Sequence, residues 1–287
     1  MSSCLRELRD ADAEAVAALF VEAFGEARRL DAEEIRTWID NEELKPENLR
    51  VLEEDGHVVG YGDVWPEEDV VQLDVAAPGH WEPFLDWAET TAARRRTRLF
   101  VPDGHELARL AERRGYRLWR SSYTMEVDLP VAGPELLPGI ELRAYRDTDA
   151  EAVRAALDEA FAEDPSWHGL SPSNFREFYV RSRGFEPDLW LLAWDGSELA
   201  GVVLAYSVRA GDPGLGWIGT LAVRPAWRRR GLGEALLRAA FAALHQRGFR
   251  RGGLGVDTEN VAGALRLYER IGMRPVRRYD NWDLEPS

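Results

Sequence analysis

Hydrophobic and polar positions run through this chain in one order, and then run through it again. "RDADAEAVAALFVEAF" (Arg9 to Phe24) and "RDTDAEAVRAALDEAF" (Arg146 to Phe161) are near copies. In each, apolar residues recur at helical spacing behind a short alternating segment, "CLREL" or "IELRAY", so each copy predicts a strand and then a helix. Asp10 and Asp147 are the expected helix caps. Further along, "LRVLEEDGHVVGYGDV" and "LWLLAWDGSELAGVVLAY" each predict a hairpin about an Asp-Gly turn. A third extended run ends at Pro78 or Pro225, and a helix is expected from about Trp81 or Gly231. Both copies close with strand, helix, a glycine at the helix end (Gly115 or Gly272) and a last strand.

The repeat predicts two homologous α/β domains, 1–130 and 140–287. Three prolines and two glycines in "DLPVAGPELLPG" mark residues 131–139 as the linker. A length of 287 residues suits two domains, and 45% apolar with 30% charged residues is a globular composition. The opening "MSSCLRELRD" has no apolar stretch, so a cytoplasmic location without membrane contact is expected. Cys4 is the only cysteine, which excludes an intrachain disulfide. His57, His80, His105, His168 and His245 show no ligand spacing, and no metal is expected.

Charge changes the picture. The chain carries −15 overall, which argues against nucleic acid as a partner, yet residues 221–280 hold 13 arginines against 5 acids. A basic island in an acidic chain points to a small phosphate-bearing ligand. Within it, "VRPAWRRRGLGEALL" (Val223 to Leu237) leads from a strand into a helix. Gly231 and Gly233 allow close backbone approach, the helix start offers free N–H groups, and Arg228, Arg229 and Arg230 can add side-chain contacts to an anion. The first copy has "AAPGHWEPF" instead, and Ala111 where the second has Tyr268.

The ordered set of strand, R-x-x-G-x-G turn, helix, strand, Asn260 and the "LYERIGM" helix resembles the GCN5-related N-acetyltransferase (GNAT) superfamily. The resemblance implies two tandem GNAT-like domains, each a mixed, mostly antiparallel twisted sheet flanked by helices, with the first copy degenerate. It implies that Arg228, Arg229, Arg230, Gly231, Leu232, Gly233 and Glu234 form the acetyl-CoA pyrophosphate turn. Leu221, Ala222 and Val223 would then pair with the pantetheine arm, Asn260 would contact that arm, and Tyr268 would be the general acid for the departing thiolate. The acceptor would lie against "FAEDPSWHGLSPSNF", with Trp167 and His168 as substrate-binding residues. Length and "RRRGLG" resemble the mycothiol synthase branch, but the strand carboxylate of that branch falls here on Trp217.

The implied activity is acetyl-CoA-dependent transfer of an acetyl group to a primary amine of a small molecule, by a monomer or homodimer. Two alternatives stand beside it: acetylation of protein N-termini, and a non-catalytic acyl-CoA-binding regulator. Asp257, Glu259, Glu163 and Asp164 could relay a proton through water, but none is singled out as the base.

Overall fold

The structure, a computed structural model, describes residues 3–40, 44–164, 167–208, 212–258 and 263–286. Packing divides it into two compact units: the described residues within 1–123, 257–259 and 277–287, and those within 124–256 and 260–276.

The first unit begins with β1 (Ser3–Glu7), α1 (Ala13–Phe24) and α2 (Ala32–Ile39). It continues through β2 (Leu49–Glu54), β3 (His57–Pro66), β4 (Val70–Ala76), α3 (Glu82–Ala92), β5 (Arg96–Pro102) and α4 (Glu106–Arg113) into β6 (Arg117–Asp128). The predicted hairpin is β2–β3, antiparallel, and β4 runs parallel to β5 from Val70–Arg96 to Leu73–Leu99. Phe84, Leu85 and Ala88 of α3 are buried with Leu73, Val75 and Leu99 of the sheet. Phe20 and Val16 of α1 are buried with Val51 and Tyr61.

The second unit repeats the plan with β7 (Ile140–Ala144), α5 (Ala150–Phe161), α6 (Pro172–Phe175), β8 (Phe185–Asp195) and β9 (Glu198–Tyr206). Then come β10 (Leu215–Val223), α7 (Leu232–Gln246), β11 (Arg251–Asp257), α8 (Ala264–Ile271) and β12 (Arg274–Leu284). β10 is antiparallel to β9 and parallel to β11. The expected mixed, mostly antiparallel sheet flanked by helices is therefore present in both units. Val153 and Leu157 of α5 are buried with Val202 and Leu204 of β9. On the other face, Leu236 of α7 lies against Gly201 and Leu244 against Gly216. Side-chain alternation along a strand explains why the two helices cover opposite faces.

Repeat and compact unit are different objects in this chain. In the first unit the sheet order is β1-β2-β3-β4-β5-β12-β6, so a strand from the end of the second repeat is inserted between β5 and the start of β6. Tyr279 to Leu284 of β12 pair antiparallel with Pro102 to Thr97 of β5. In the second unit the end of β6 lies beside β11 in the order β6-β11-β10-β9-β8-β7. The Leu129 N–H donates to the Arg250 carbonyl there at 2.8 Å.

The caps differ from expectation. Asp10 and Asp147 open short 3₁₀ turns, and the capping carboxylates are Asp12 and Asp149. Asp12 accepts from the Arg9 N–H at 2.9 Å and from Arg6 at 2.7 and 2.8 Å. Asp149 does the same with the Arg146 N–H at 3.0 Å and with Arg143. The added 3₁₀ turn moves each helix start two residues along and brings the second aspartate within reach of the freed amide.

Candidate functional site

The site is built where β10 leaves β11. Their parallel pairing runs from Leu215–Arg251 to Ile218–Leu254 and stops. β10 stays paired with β9, through Thr220–Leu204, Leu221–Val203, Ala222–Val202 and Val223–Gly201, with its register shifted between Ile218 and Thr220. That shift is a bulge at Gly219, and a bulge bends and twists its strand. The β11-facing edge of Leu221, Ala222 and Val223 is consequently left without a strand partner among the described residues. The exposed backbone at Gly219 and Gly255 borders the opening.

The turn after β10 is held firmly. Trp227 is buried and donates its indole N–H to Asp195 at 2.9 Å. Arg229 has φ +61° and Gly231 φ +87°, two left-handed positions with Arg230 between them. Gly231 caps α7, whose first backbone bond runs from Ala235 N–H to the Gly231 carbonyl at 3.1 Å. The amides of Leu232, Gly233 and Glu234 thus stand at the free end of a fifteen-residue helix. A Cβ at Gly231 would meet nothing within 4 Å, so the space before the turn is open.

The three arginines divide. Arg228 is turned inward: Nε donates to the Val223 carbonyl at 3.1 Å, Nη2 to the Ala160 carbonyl at 2.7 Å, and Nη1 reaches Glu163 at 3.2 Å. It fastens the turn to the ends of β10 and α5. Arg229 and Arg230 are exposed and make no hydrogen bond or ion pair among the described residues. Glu234 receives Arg238 at 2.9 and 3.0 Å and Arg270 at 3.3 Å, and Arg238 with Arg270 holds its carboxyl below the usual range.

Tyr268 is 7% exposed on α8, and burial alone pushes its phenol up to about 12. No described residue hydrogen-bonds its hydroxyl. Trp167 is half-buried against Phe161, ring centroids 5.1 Å apart, and its indole N–H goes to Asp158 at 3.0 Å. Asp158 also accepts from the Leu170 N–H at 3.0 Å, so one α5 carboxylate shapes the whole loop. His168 is exposed. Asn260 and Glu259 lie outside the described residues. Glu163 and Asp257 are both ion-paired, to Arg228 and Arg120. No group of metal-ligating side chains occurs among the described residues. Nor is any described helix long and apolar enough to cross a membrane.

Residue-by-residue reading of the sequence missed Asp158, Tyr179, Tyr206 and Thr220. Tyr179 stands close to Thr220 beside the bulge, and burial raises both tyrosines. Phe175, Tyr179, Trp190 and Tyr206 look like core aromatics in sequence, and only the position of the bulge separates those beside the opening.

The first unit shows the same parting, since β4 leaves β5 after Leu73–Leu99. Its next helix starts differently: Trp81 caps α3 in a right-handed conformation, with Pro83 in the first turn. A buried cluster sits nearby, in which Asp63 accepts from the Tyr61 hydroxyl at 3.0 Å and the Trp65 indole at 2.7 Å. Burial, then Asp74, pushes the Asp63 carboxyl up to about 8.

Known proteins align with this geometry. The profile of the Acetyltransferase (GNAT) family matches residues 151–273. A mycothiol acetyltransferase of Beutenbergia cavernae is 34% identical over 274 residues, 89% of this chain and 87% of that one. Another, of Geodermatophilus obscurus, is 33% identical over 173 residues, 58% of this chain and 56% of that one, so this match spans little more than half of either protein. The crystal structure of a GCN5-related N-acetyltransferase from Sphaerobacter thermophilus, 29% identical, superposes with a TM-score of 0.78 over 99% of this chain and 95% of its own. The chain belongs to the GNAT family of N-acetyltransferases.

Proposed function

We propose that the second unit transfers an acetyl group directly from acetyl-CoA to a primary amine of a small molecule. The observation that carries this reading is the parting of β10 from β11 after Ile218–Leu254, beside the left-handed turn at Gly231. Free amides of Leu232, Gly233 and Glu234, with the unpaired Arg229 and Arg230, suit the pyrophosphate. The bare edge of Leu221 to Val223 suits an extended amide-bearing arm, and Asn260 would meet that arm. Arg228 supports the turn from behind.

In the reaction the neutral amine nitrogen bonds the acetyl carbon and the carbon–sulfur bond breaks. The departing thiolate takes the proton of Tyr268, which solvent then restores. A phenol held near 12 keeps its proton throughout the neutral range and has it to give. With Glu163 and Asp257 ion-paired, the amine's own proton is assigned to water. Trp167 and His168 would border the acceptor.

A second acceptor reading, mycothiol chemistry, is favoured by the shared name of the aligned relatives. Thiol release from acetyl-CoA, measured with a panel of small amines, a mycothiol precursor amine and N-terminal peptides, tests all three acceptor classes. Turnover with peptides alone would overturn the small-molecule reading, and binding without turnover would favour a regulator.

A further inference from the structure

The loop after α5 is held from one face of that helix. Arg154, Asp158 and Phe161 recur at the spacing that stacks side chains along a helix, and each takes hold of a different part of residues 167–170. Asp158 Oδ1 accepts from the Trp167 indole N–H at 3.0 Å and from the Leu170 N–H at 3.0 Å. Four residues earlier on the helix, Arg154 Nε donates to the Leu170 carbonyl at 2.8 Å. Phe161 packs on the Trp167 ring, with 5.1 Å between centroids. Gly169, at φ +81°, supplies the left-handed turn that brings the Leu170 amide back to the carboxylate. Both polar groups of the Leu170 backbone and the polar atom of the Trp167 ring are thus satisfied by α5.

We infer that Asp158 is a positioning residue for the acceptor: it holds Trp167 in place as a wall of the acceptor site and does not itself receive the amine. The oxygen it turns toward the loop already accepts two hydrogen bonds, the capacity of one carboxylate oxygen. What the loop requires of residue 158 is therefore an accepting atom rather than a negative charge. A wall ordered in advance spares the incoming amine the entropy of ordering it, so loosening the clamp weakens acceptor binding and leaves the cofactor turn alone. The inference rests on the amine-transfer reading above, in which Trp167 and His168 border the acceptor, and adds what holds that border.

The test follows thiol release by the full-length protein with 2-phenylethylamine, glucosamine and the mycothiol precursor amine, and takes kinetics with the fastest of them. Asp158→Ala should raise KM for that amine by about tenfold, the scale of one or two lost hydrogen bonds, with kcat and KM for acetyl-CoA within about twofold of wild type. Asp158→Asn keeps the accepting oxygen and should stay near wild type. Arg154→Met frees the Leu170 carbonyl, should show the same split more weakly, and carries the test if the alanine variant does not fold. Hydrogen exchange at the Leu170 amide should quicken in Asp158→Ala and not in Asp158→Asn. An amine KM unchanged in Asp158→Ala, or a rise in both KM values together, overturns this inference alone. So does an asparagine variant as impaired as the alanine one, which would make the carboxylate a direct contact of the ammonium. No thiol release with any of the amines overturns the amine-transfer reading and this inference with it.

Discussion

Ile218 of β10 lies opposite Leu254 of β11 at the last rung joining these parallel strands, and the bulge at Gly219 follows at once. The edge of Leu221, Ala222 and Val223 lies beyond that rung, where an unbroken ladder would have continued β11.

The left-handed turn is the first place to test. Gly231→Val would force a β-branched residue to φ +87°, at a cost of about 1–2 kcal/mol in a position where folding contacts are absent. Calorimetry should show acetyl-CoA affinity falling by about tenfold or more, with a melting temperature lowered by only a few degrees. Gly231→Asn, which tolerates left-handed backbone, should lose less.

Arg228 is expected to behave as a fastening. Arg228→Met removes two bonds from a charged donor to carbonyls, worth about 1–2 kcal/mol after discounting for partial exposure. Arg228→Lys keeps the charge but not the fork. Thermal melts should place both variants at similar, lowered midpoints, and recovery of cofactor affinity in the lysine variant would instead make Arg228 an anion contact.

Tyr268→Phe should lower kcat by roughly 10²-fold, the scale of general-acid effects, and leave acetyl-CoA affinity near wild type. Because burial holds the phenol near 12, the wild-type rate should show no loss from tyrosine ionisation between pH 7 and 10. The folded value lies above the ordinary 10, so the associated stability is present below pH 10 and declines as pH rises through about 12.

Asp63 gives the first unit a pH dependence of opposite origin to ordinary acid unfolding. Its carboxyl is raised to about 8, so the folded state holds a proton that the unfolded chain releases near pH ~4. Stability from this group is complete at acid pH and falls as pH rises to about 8. Asp63→Asn should therefore gain melting temperature over wild type at pH 9 and show no such gain at pH 5.

A single cofactor per chain is the expected stoichiometry. Both units part their strands, but Trp81 and Pro83 stand where Gly231 and its free amides stand in the second. Isothermal titration should return one site, and two equivalent sites would mean that the strand opening suffices without the turn.

Much of this protein is written locally. Apolar spacing in Arg9–Phe24 and Arg146–Phe161 determined two matching helices, the Asp-Gly turns determined two hairpins, and RRRGLG determined a tight turn with a left-handed glycine, because each depends on residues a few positions apart. The tertiary structure decided what depends on distant partners. Asp12 and Asp149 became the caps because Arg6 and Arg143 reach them from neighbouring strands. Arg228 turned inward because the carbonyls of Ala160 and Val223 converge behind the turn. Tyr206 and Tyr179 came to the opening only because the bulge at Gly219 lies against them, and β12 joined β5 because strand pairing is chosen by edges brought together in space, which side-chain alternation alone leaves open.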